Sequence, residues 1–295
     1  MKILVLGKNG QLGRSIYKLL NTECFKSLNS GFTFADRNTL DLTNIEAIEE
    51  YFTNKHFDII VNCSAYTRVD DAEEHSQEAN LINHLAVKKL AEIANRNKNY
   101  LIHISTDYVF DGRNSNPYIE IDKTNPINVY GETKLNGEKA INKIMKNNAI
   151  IIRTSWLYSE FGSNFVKTII KLAKNSDQLK IINDQIGSPT YASDLAESVL
   201  FIIKKIGAEK KDIRTQIYHY SNDGDISWYD FAIEILKLSQ ITCKILPIET
   251  RHFITAAKRP INSTMSKSKI HRDFGIEIKS WKNSLIEAFD CLLAS

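Results

Sequence analysis

Lys2-Ile3-Leu4-Val5-Leu6-Gly7-Lys8-Asn9-Gly10-Gln11-Leu12-Gly13 stands at the head of the chain, and Arg14-Ser15-Ile16 runs on into an amphipathic segment. Residues 2–6 are an apolar, strand-sized run, and residues 12–20 repeat their apolar side chains at helical spacing. Between them Gly7, Gly10 and Gly13 make a tight turn. Such a turn brings bare backbone N–H groups to a helix N-terminus, where the helix dipole favours a diphosphate. The spacing is wider than G-x-G-x-x-G, and three glycines alone also fit a turn that binds nothing. Their position between a first strand and a first helix points to dinucleotide binding.

Asp36 lies 23 residues beyond Gly13, where a second apolar run, 32–35, ends. A carboxylate about 20 residues on is suited to the adenosine ribose hydroxyls, which favours NADH. Arg37 follows and would instead suit a 2′-phosphate, so NADPH stays equally open. Asp41 and Leu42 would border the adenine, although Asp41 serves as well as a residue leading into a helix before the capping candidates Thr43 and Asn44.

Outward from this point strands alternate with helices. Strands are expected at 58–62, 100–105 and 149–154, and helices at 44–53, 78–96 and 129–145. That order implies parallel strands joined by right-handed crossovers, and fully apolar runs such as Ile59-Ile60-Val61 suit a sheet covered on both faces. The fold expected is α/β, a doubly wound parallel (Rossmann) sheet with a smaller C-terminal α/β substrate lobe. Residues 1–154 form the dinucleotide-binding part and 155–295 mainly the substrate lobe, with interleaved segments and a gradual boundary. Helices are expected in the second half at 165–173, 193–204, 228–239 and 281–292, with a loop over 251–263.

Of 295 residues, 43% are hydrophobic and 25% charged, the balance of an ordinary globular protein. The 38 basic and 35 acidic residues leave a net charge of +3 spread along the chain, which gives no footprint for nucleic acid or an anionic membrane. No apolar run approaches membrane-spanning length, and Met1-Lys2 passes straight into a strand without a secretory pattern. Four scattered cysteines, Cys24, Cys63, Cys243 and Cys291, read as reduced thiols, and the sequon Asn62-Cys63-Ser64 at a strand end as chance. A cytoplasmic protein is expected.

Tyr130-Gly131-Glu132-Thr133-Lys134 begins a helical stretch, and a spacing of four puts tyrosine and lysine on one face. A free phenol titrates near about 10, and an adjacent ammonium lowers that value. Lys134 is therefore expected to tune Tyr130 as a proton donor and also to reach the cofactor ribose. Y-x-x-x-K on an exposed helix is common, so the weight comes from its place after a dinucleotide loop. Thr106 stands where the fourth strand ends, outside which ligands bind in such sheets. It is the candidate hydrogen-bond donor to a substrate carbonyl; otherwise it is a hydroxyl capping the next turn.

The succession Gly7–Gly13, Asn62-Cys63-Ser64-Ala65-Tyr66-Thr67, Ser105-Thr106-Asp107-Tyr108-Val109-Phe110 and Tyr130–Lys134 resembles the extended short-chain dehydrogenase/reductase superfamily. Within it, the chain resembles the dTDP-4-dehydrorhamnose reductase family, whose later motifs Arg153-Thr-Ser-Trp156-Leu-Tyr158, Asn183-Asp-Gln-Ile-Gly187-Ser-Pro189-Thr190 and Arg259-Pro260-Ile-Asn262-Ser263 also fit. The resemblance covers nearly the whole chain. It implies reduction by NADPH or NADH of the 4-keto group of dTDP-4-dehydro-L-rhamnose, hydride coming from nicotinamide and the proton from Tyr130. It implies that Gln11, Leu12, Ala65, Tyr66 and Thr67 line the cofactor, and that Thr106, Asp107 and Trp156 meet the sugar. Arg259 would pair with the substrate diphosphate, or else belongs to a basic surface loop with Lys258.

Some members of the family dimerise through a magnesium site built from glutamates. Ser15 and Ser193 stand where two of them would be, so no metal is expected, and a homodimer is the one protein partner left open. A dehydratase of the same fold needs a glutamate where Tyr108 stands. A reductase or epimerase of another nucleotide sugar is the nearest alternative. A non-catalytic regulatory subunit on this fold is a further one, against which the joint presence of Thr106, Tyr130 and Lys134 argues.

Overall fold

The computed structural model describes residues 1–209 and 212–293. The first half runs β1 (Ile3–Leu6), α1 (Gln11–Leu19), β2 (Phe32–Ala35), α2 (Ile45–Thr53), β3 (Ile59–Asn62), α3 (Asp71–Glu74), α4 (Ser76–Asn80), α5 (Ala86–Asn97), β4 (Tyr100–Thr106), α6 (Val129–Ile144) and β5 (Ala149–Thr154). The second half runs β6 (Leu157–Tyr158), α7 (Phe165–Ala173), β7 (Gln178–Ile182), β8 (Ile186–Gly187), β9 (Thr190–Tyr191), α8 (Ala192–Glu209) and β10 (Gln216–His219). It ends with β11 (Ile226–Ser227), α9 (Trp228–Ser239), β12 (Lys244–Ile248), α10 (Ser268–Phe274) and α11 (Trp281–Leu293).

Six strands form one parallel sheet in the order β10-β5-β4-β3-β1-β2. Side chains alternate across it, as the strand period requires. Ile3 and Val5 pack with Leu12 and Ile16 of α1 and Leu195–Ile206 of α8, whereas Leu4 and Leu6 pack with Ile48 of α2, Leu90 of α5 and Ile141 of α6. Helices thus cover both faces, as the doubly wound expectation requires. The strand order reverses between β1 and β3, and the crevice outside their carboxyl ends is where such sheets bind ligands. After β5 the chain builds a lobe around Tyr158, Phe231, Trp281 and Leu285, yet α8 and β10 return to complete the sheet.

Local differences from the sequence reading have physical causes. The single helix expected over 78–96 is split into α4, a π-helical turn at Leu81–Leu85, and α5. The wide turn carries the buried Asn83, whose amide accepts from Tyr66 N–H (2.8 Å) and donates to the Tyr66 carbonyl (3.1 Å) and Thr133 Oγ1 (3.2 Å). α8 runs to Glu209, beyond the expected end at 204, because Ile206 continues its buried stripe. α10 was not anticipated; it seats Ile270 against the α1/α8 face.

α6 is held unusually close. A Cβ on Gly131 would strike the Tyr108 carbonyl, and one on Gly137 would strike the Asn83 carbonyl. Asn128 caps the helix through Gly131 N–H (2.7 Å). One turn beyond Lys134, buried Glu138 accepts from Arg153 of β5 (2.7 and 2.9 Å) and from Ser105 of β4 (2.5 Å). Arg153 also meets His219 of β10 (3.4 Å). Removing one partner of such a pair leaves a buried uncompensated charge. Glu138→Leu should destabilise the protein by about 3–5 kcal/mol in urea unfolding, and adding Arg153→Met should recover most of that loss.

Candidate active site

A cavity of about 910 Å³ opens outside the carboxyl ends of β1, β3, β4 and β5. A smaller one of about 250 Å³ adjoins it and shares Gly7, Asp36, Ala65 and Thr67. Gly10, Gln11, Leu12, Thr106, Asp107, Tyr130, Lys134 and Trp156 border the large cavity; Asp41, Leu42 and Tyr66 border the small one. Gly13 borders neither. It packs on Gly7, where a Cβ would run into the Gly7 carbonyl, while Gly7 itself holds φ +87° against Cys63 and Ser64. The glycines therefore shape a backbone cradle that an extended diphosphate fits, with the N–H groups opening α1 at its floor.

Two cradle residues are already engaged by the protein. Leu12 is 4% exposed, with its side chain in the core, so only its backbone and edge meet the cavity. Gln11 ties α1 to the lobe, donating to the Leu157 carbonyl (3.2 Å) and accepting from Ser159 (2.8 Å) and Asn164 (2.9 Å). Asp36 closes its own turn, its Oδ1 accepting from Asn38 N–H (3.1 Å), Thr39 N–H (3.0 Å) and Thr39 Oγ1 (3.1 Å). The Thr39 bonds, backbone first, hold its carboxyl below the usual carboxylate range. Arg37 reaches Asp41, at 3.4 Å, and stays exposed. Asp41 Oδ1 accepts from Thr43 N–H (2.9 Å) and Thr43 Oγ1 (2.8 Å), so it also shapes the turn before α2.

The catalytic candidates converge. Thr106 Oγ1 accepts from Tyr108 N–H (3.2 Å), donates to Asp107 Oδ1 (3.0 Å), and lies beside the Tyr130 phenol. It caps the turn after β4 and borders the cavity beside Tyr130. Asp107 is 2% exposed, and burial pushes its carboxyl up to about 7. Among the described residues its Oδ2 is buried without a hydrogen-bond partner, while Ser263 lies near enough to the carboxyl to lower it. Tyr108 packs edge-on to Tyr130, ring centroids 5.8 Å apart.

The relation between Tyr130 and Lys134 differs from the expectation. Lys134, 1% exposed, donates to the Ile104 carbonyl (2.5 Å) and turns toward His103 Nε2 (3.3 Å) instead of the phenol. Burial pushes Tyr130 up to about 12 against the lowering effect of Thr106, so the phenol is a weaker acid than in water, not a stronger one. Burial also pushes Lys134 down to about 8, against the pull of Glu138.

Trp156 adopts φ +48°, a left-handed conformation that indole side chains rarely take. Its ring lies flat on Trp228, centroids 3.4 Å apart at 8°. One face is thereby covered, and the pair forms an indole wall of the cavity. Trp228 was missed by the sequence reading, where it marked only the start of a helix. Arg259 makes a bidentate pair with Asp70 (2.5 and 3.1 Å) and a hydrogen bond with Tyr108. It borders a side pocket of about 230 Å³ with Lys180, Phe253, Phe165 and Trp228, the last two shared with the large cavity. Among the described residues no three His, Cys, Asp or Glu side chains gather into a metal site, and no helix is long and apolar enough to cross a membrane.

The cradle gives a direct test. Gly13→Val should raise the dissociation constant for a nicotinamide dinucleotide at least tenfold in fluorescence titration, because the branched side chain displaces the Gly7 carbonyl. An unchanged constant would remove the cradle from the binding site.

The chain matches the RmlD substrate binding domain family over residues 1–293. It is 39% identical over 291 residues to the dTDP-4-dehydrorhamnose reductase of Aggregatibacter actinomycetemcomitans, covering 96% of this chain and 97% of that one. The crystal structure of the Clostridium acetobutylicum dTDP-4-dehydrorhamnose reductase superposes with a TM-score of 0.90 at 40% identity, covering 99% and 100% of the chains. That of the Bacillus anthracis enzyme, in complex with NADP, gives 0.88 at 34%, covering 98% and 99%. The protein described here belongs to the RmlD substrate binding domain family, that of the dTDP-4-dehydrorhamnose reductases.

Proposed function

We propose that this protein reduces the 4-keto group of dTDP-4-dehydro-L-rhamnose to give dTDP-L-rhamnose, using NADPH or NADH in the cytoplasm. The observation that carries the reading is the meeting of Thr106, Tyr130 and Lys134 on the wall of one cavity at the switch point of the sheet. The glycine cradle, with Ala65, Tyr66 and Thr67 after β3, would hold the dinucleotide, and Asp36 or Arg37 its adenosine ribose. When bound, the nicotinamide supplies the hydride that reduces the sugar carbonyl carbon.

The chain's own groups handle the proton. Tyr130, with its phenol held near about 12, keeps its hydrogen throughout the neutral range and can give it to the sugar O4 as negative charge develops there. Thr106 orients the carbonyl beside the phenol. The buried Oδ2 of Asp107, without a hydrogen-bond partner among the described residues, would accept a hydroxyl from the sugar. Trp156 and Trp228 give the sugar an apolar wall. The side pocket bordered by Lys180, Phe253 and Arg259 suits a nucleoside diphosphate, with the guanidinium already oriented by Asp70. Tyr108, standing where a dehydratase needs a glutamate, offers no carboxylate for water elimination.

Oxidation of the reduced cofactor, followed by absorbance with a 4-keto-6-deoxy dTDP-sugar, tests the reading. No turnover by the wild-type protein would overturn it. Tyr130→Phe should lower kcat by about 10²–10⁴-fold, the usual worth of a positioned proton donor. The pH profile follows from Lys134: its folded value is depressed to about 8, so the ammonium is present below that pH and lost above it. The kcat/KM of the free enzyme should therefore fall about tenfold per unit above pH 8.

A further inference from the structure

One buried titratable group next to the site has no part in the chemistry above. His103 of β4 is fully buried, with its two ring nitrogens facing different partners: Nδ1 lies 3.1 Å from Asn62 Nδ2, and Nε2 lies 3.3 Å from Lys134 Nζ. The orientation of the Asn62 amide is not free. Its Oδ1 accepts the Ser64 N–H at 3.1 Å, so Nδ2, which can only donate, must be the atom that faces His103. Nδ1 is then an acceptor and carries no proton. Burial holds the imidazole well below its usual value, so the ring is neutral and its single hydrogen sits on Nε2, pointing at Lys134.

An ammonium has three donors and no acceptor. Facing an imidazole N–H, it meets donor with donor, whereas a neutral amine would accept that hydrogen. Lys134 Nζ meanwhile donates to the Ile104 carbonyl. The other titratable groups acting on Nζ are Cys63, just past the end of β3, and Glu138, one turn later on α6, which is already paired with Arg153.

We propose that Asn62 and His103 are positioning residues for the reaction: the Asn62 amide locks His103 in its Nε2–H tautomer, and that N–H, aimed at Lys134, disfavours the ammonium. Lys134 is thereby brought to titrate near the working pH, where a group gives up a proton and regains one from solvent most efficiently. This inference rests on the reductase reading of the site, but its primary test does not.

Asn62→Asp is the discriminating variant. A carboxylate can still accept the Ser64 N–H, but it takes a hydrogen from Nδ1 instead of giving one. Nε2 then becomes an acceptor for the ammonium. The alkaline limb of kcat/KM should move up by about one pH unit or more, and His103→Gln, whose amide oxygen can turn to Lys134, should move it in the same direction. A merely structural role would lower activity without moving the limb. Independently of turnover, long-range ¹⁵N–¹H correlation spectra of the cofactor-free protein should show His103 as the Nε2–H tautomer in the wild type and as Nδ1–H in Asn62→Asp. The His103 signal is identified by its loss in His103→Gln. An Nδ1–H tautomer in the wild type, or a limb unmoved in both variants, would overturn the proposal. The tautomer result stands even if the substrate assignment fails.

Discussion

The close seat of α6 on the end of β4 is the constraint on which the site depends. Gly131 lies against the Tyr108 carbonyl and Gly137 against the Asn83 carbonyl, and neither approach leaves room for a Cβ. That seat brings Tyr130 to the Thr106 hydroxyl and sinks Lys134 onto the Ile104 carbonyl. It is reinforced by Glu138, which joins α6 to Ser105 of β4 and Arg153 of β5 in one buried cluster. A helix a few ångströms further out would keep the same sequence motif and lose the site.

The same seat explains the electrostatics. Burying a phenol and an ammonium in one wall moves both toward their neutral forms, Tyr130 upward and Lys134 downward. The charge that remains is concentrated in the Glu138–Arg153 pair, away from the reacting atoms, where it is satisfied by hydrogen bonds from two strands. A proton donor that keeps its hydrogen at neutral pH is what a carbonyl reduction asks for. The expectation of a phenol made more acidic by its neighbour weighed charge above burial, and at Tyr130 burial outweighs it.

Much of the fold was legible because it rests on local signals. Apolar strand runs such as Ile3–Leu6 and Ile59–Asn62, separated by helical periodicity, fixed a parallel sheet, and the glycine spacing marked the ligand edge. Tyr130, Lys134 and Thr106 could be named because their spacing and strand-end positions carry chemical meaning. What stayed hidden depends on distant partners. Trp228 becomes part of the cavity wall only by stacking on Trp156, 72 residues earlier in the chain. Arg259 could be named as a partner for a diphosphate, but not its pairing with Asp70, 189 residues away in the chain. The π-helical turn at Asn83 and the contact of Asn62 with His103 have no periodic signature at all.

The central claim is that hydride and proton are delivered across one carbonyl bond by this wall of α6 and β4. Reduced cofactor deuterated at the transferring C4 position, incubated with the 4-keto-6-deoxy dTDP-sugar, tests it most directly. The expected result is stoichiometric deuterium at the sugar C4 of dTDP-L-rhamnose, read by NMR of the isolated product. An isomerised sugar without deuterium, or deuterium at another carbon, would contradict the account and mark the chain as an epimerase or as a reductase of a different position.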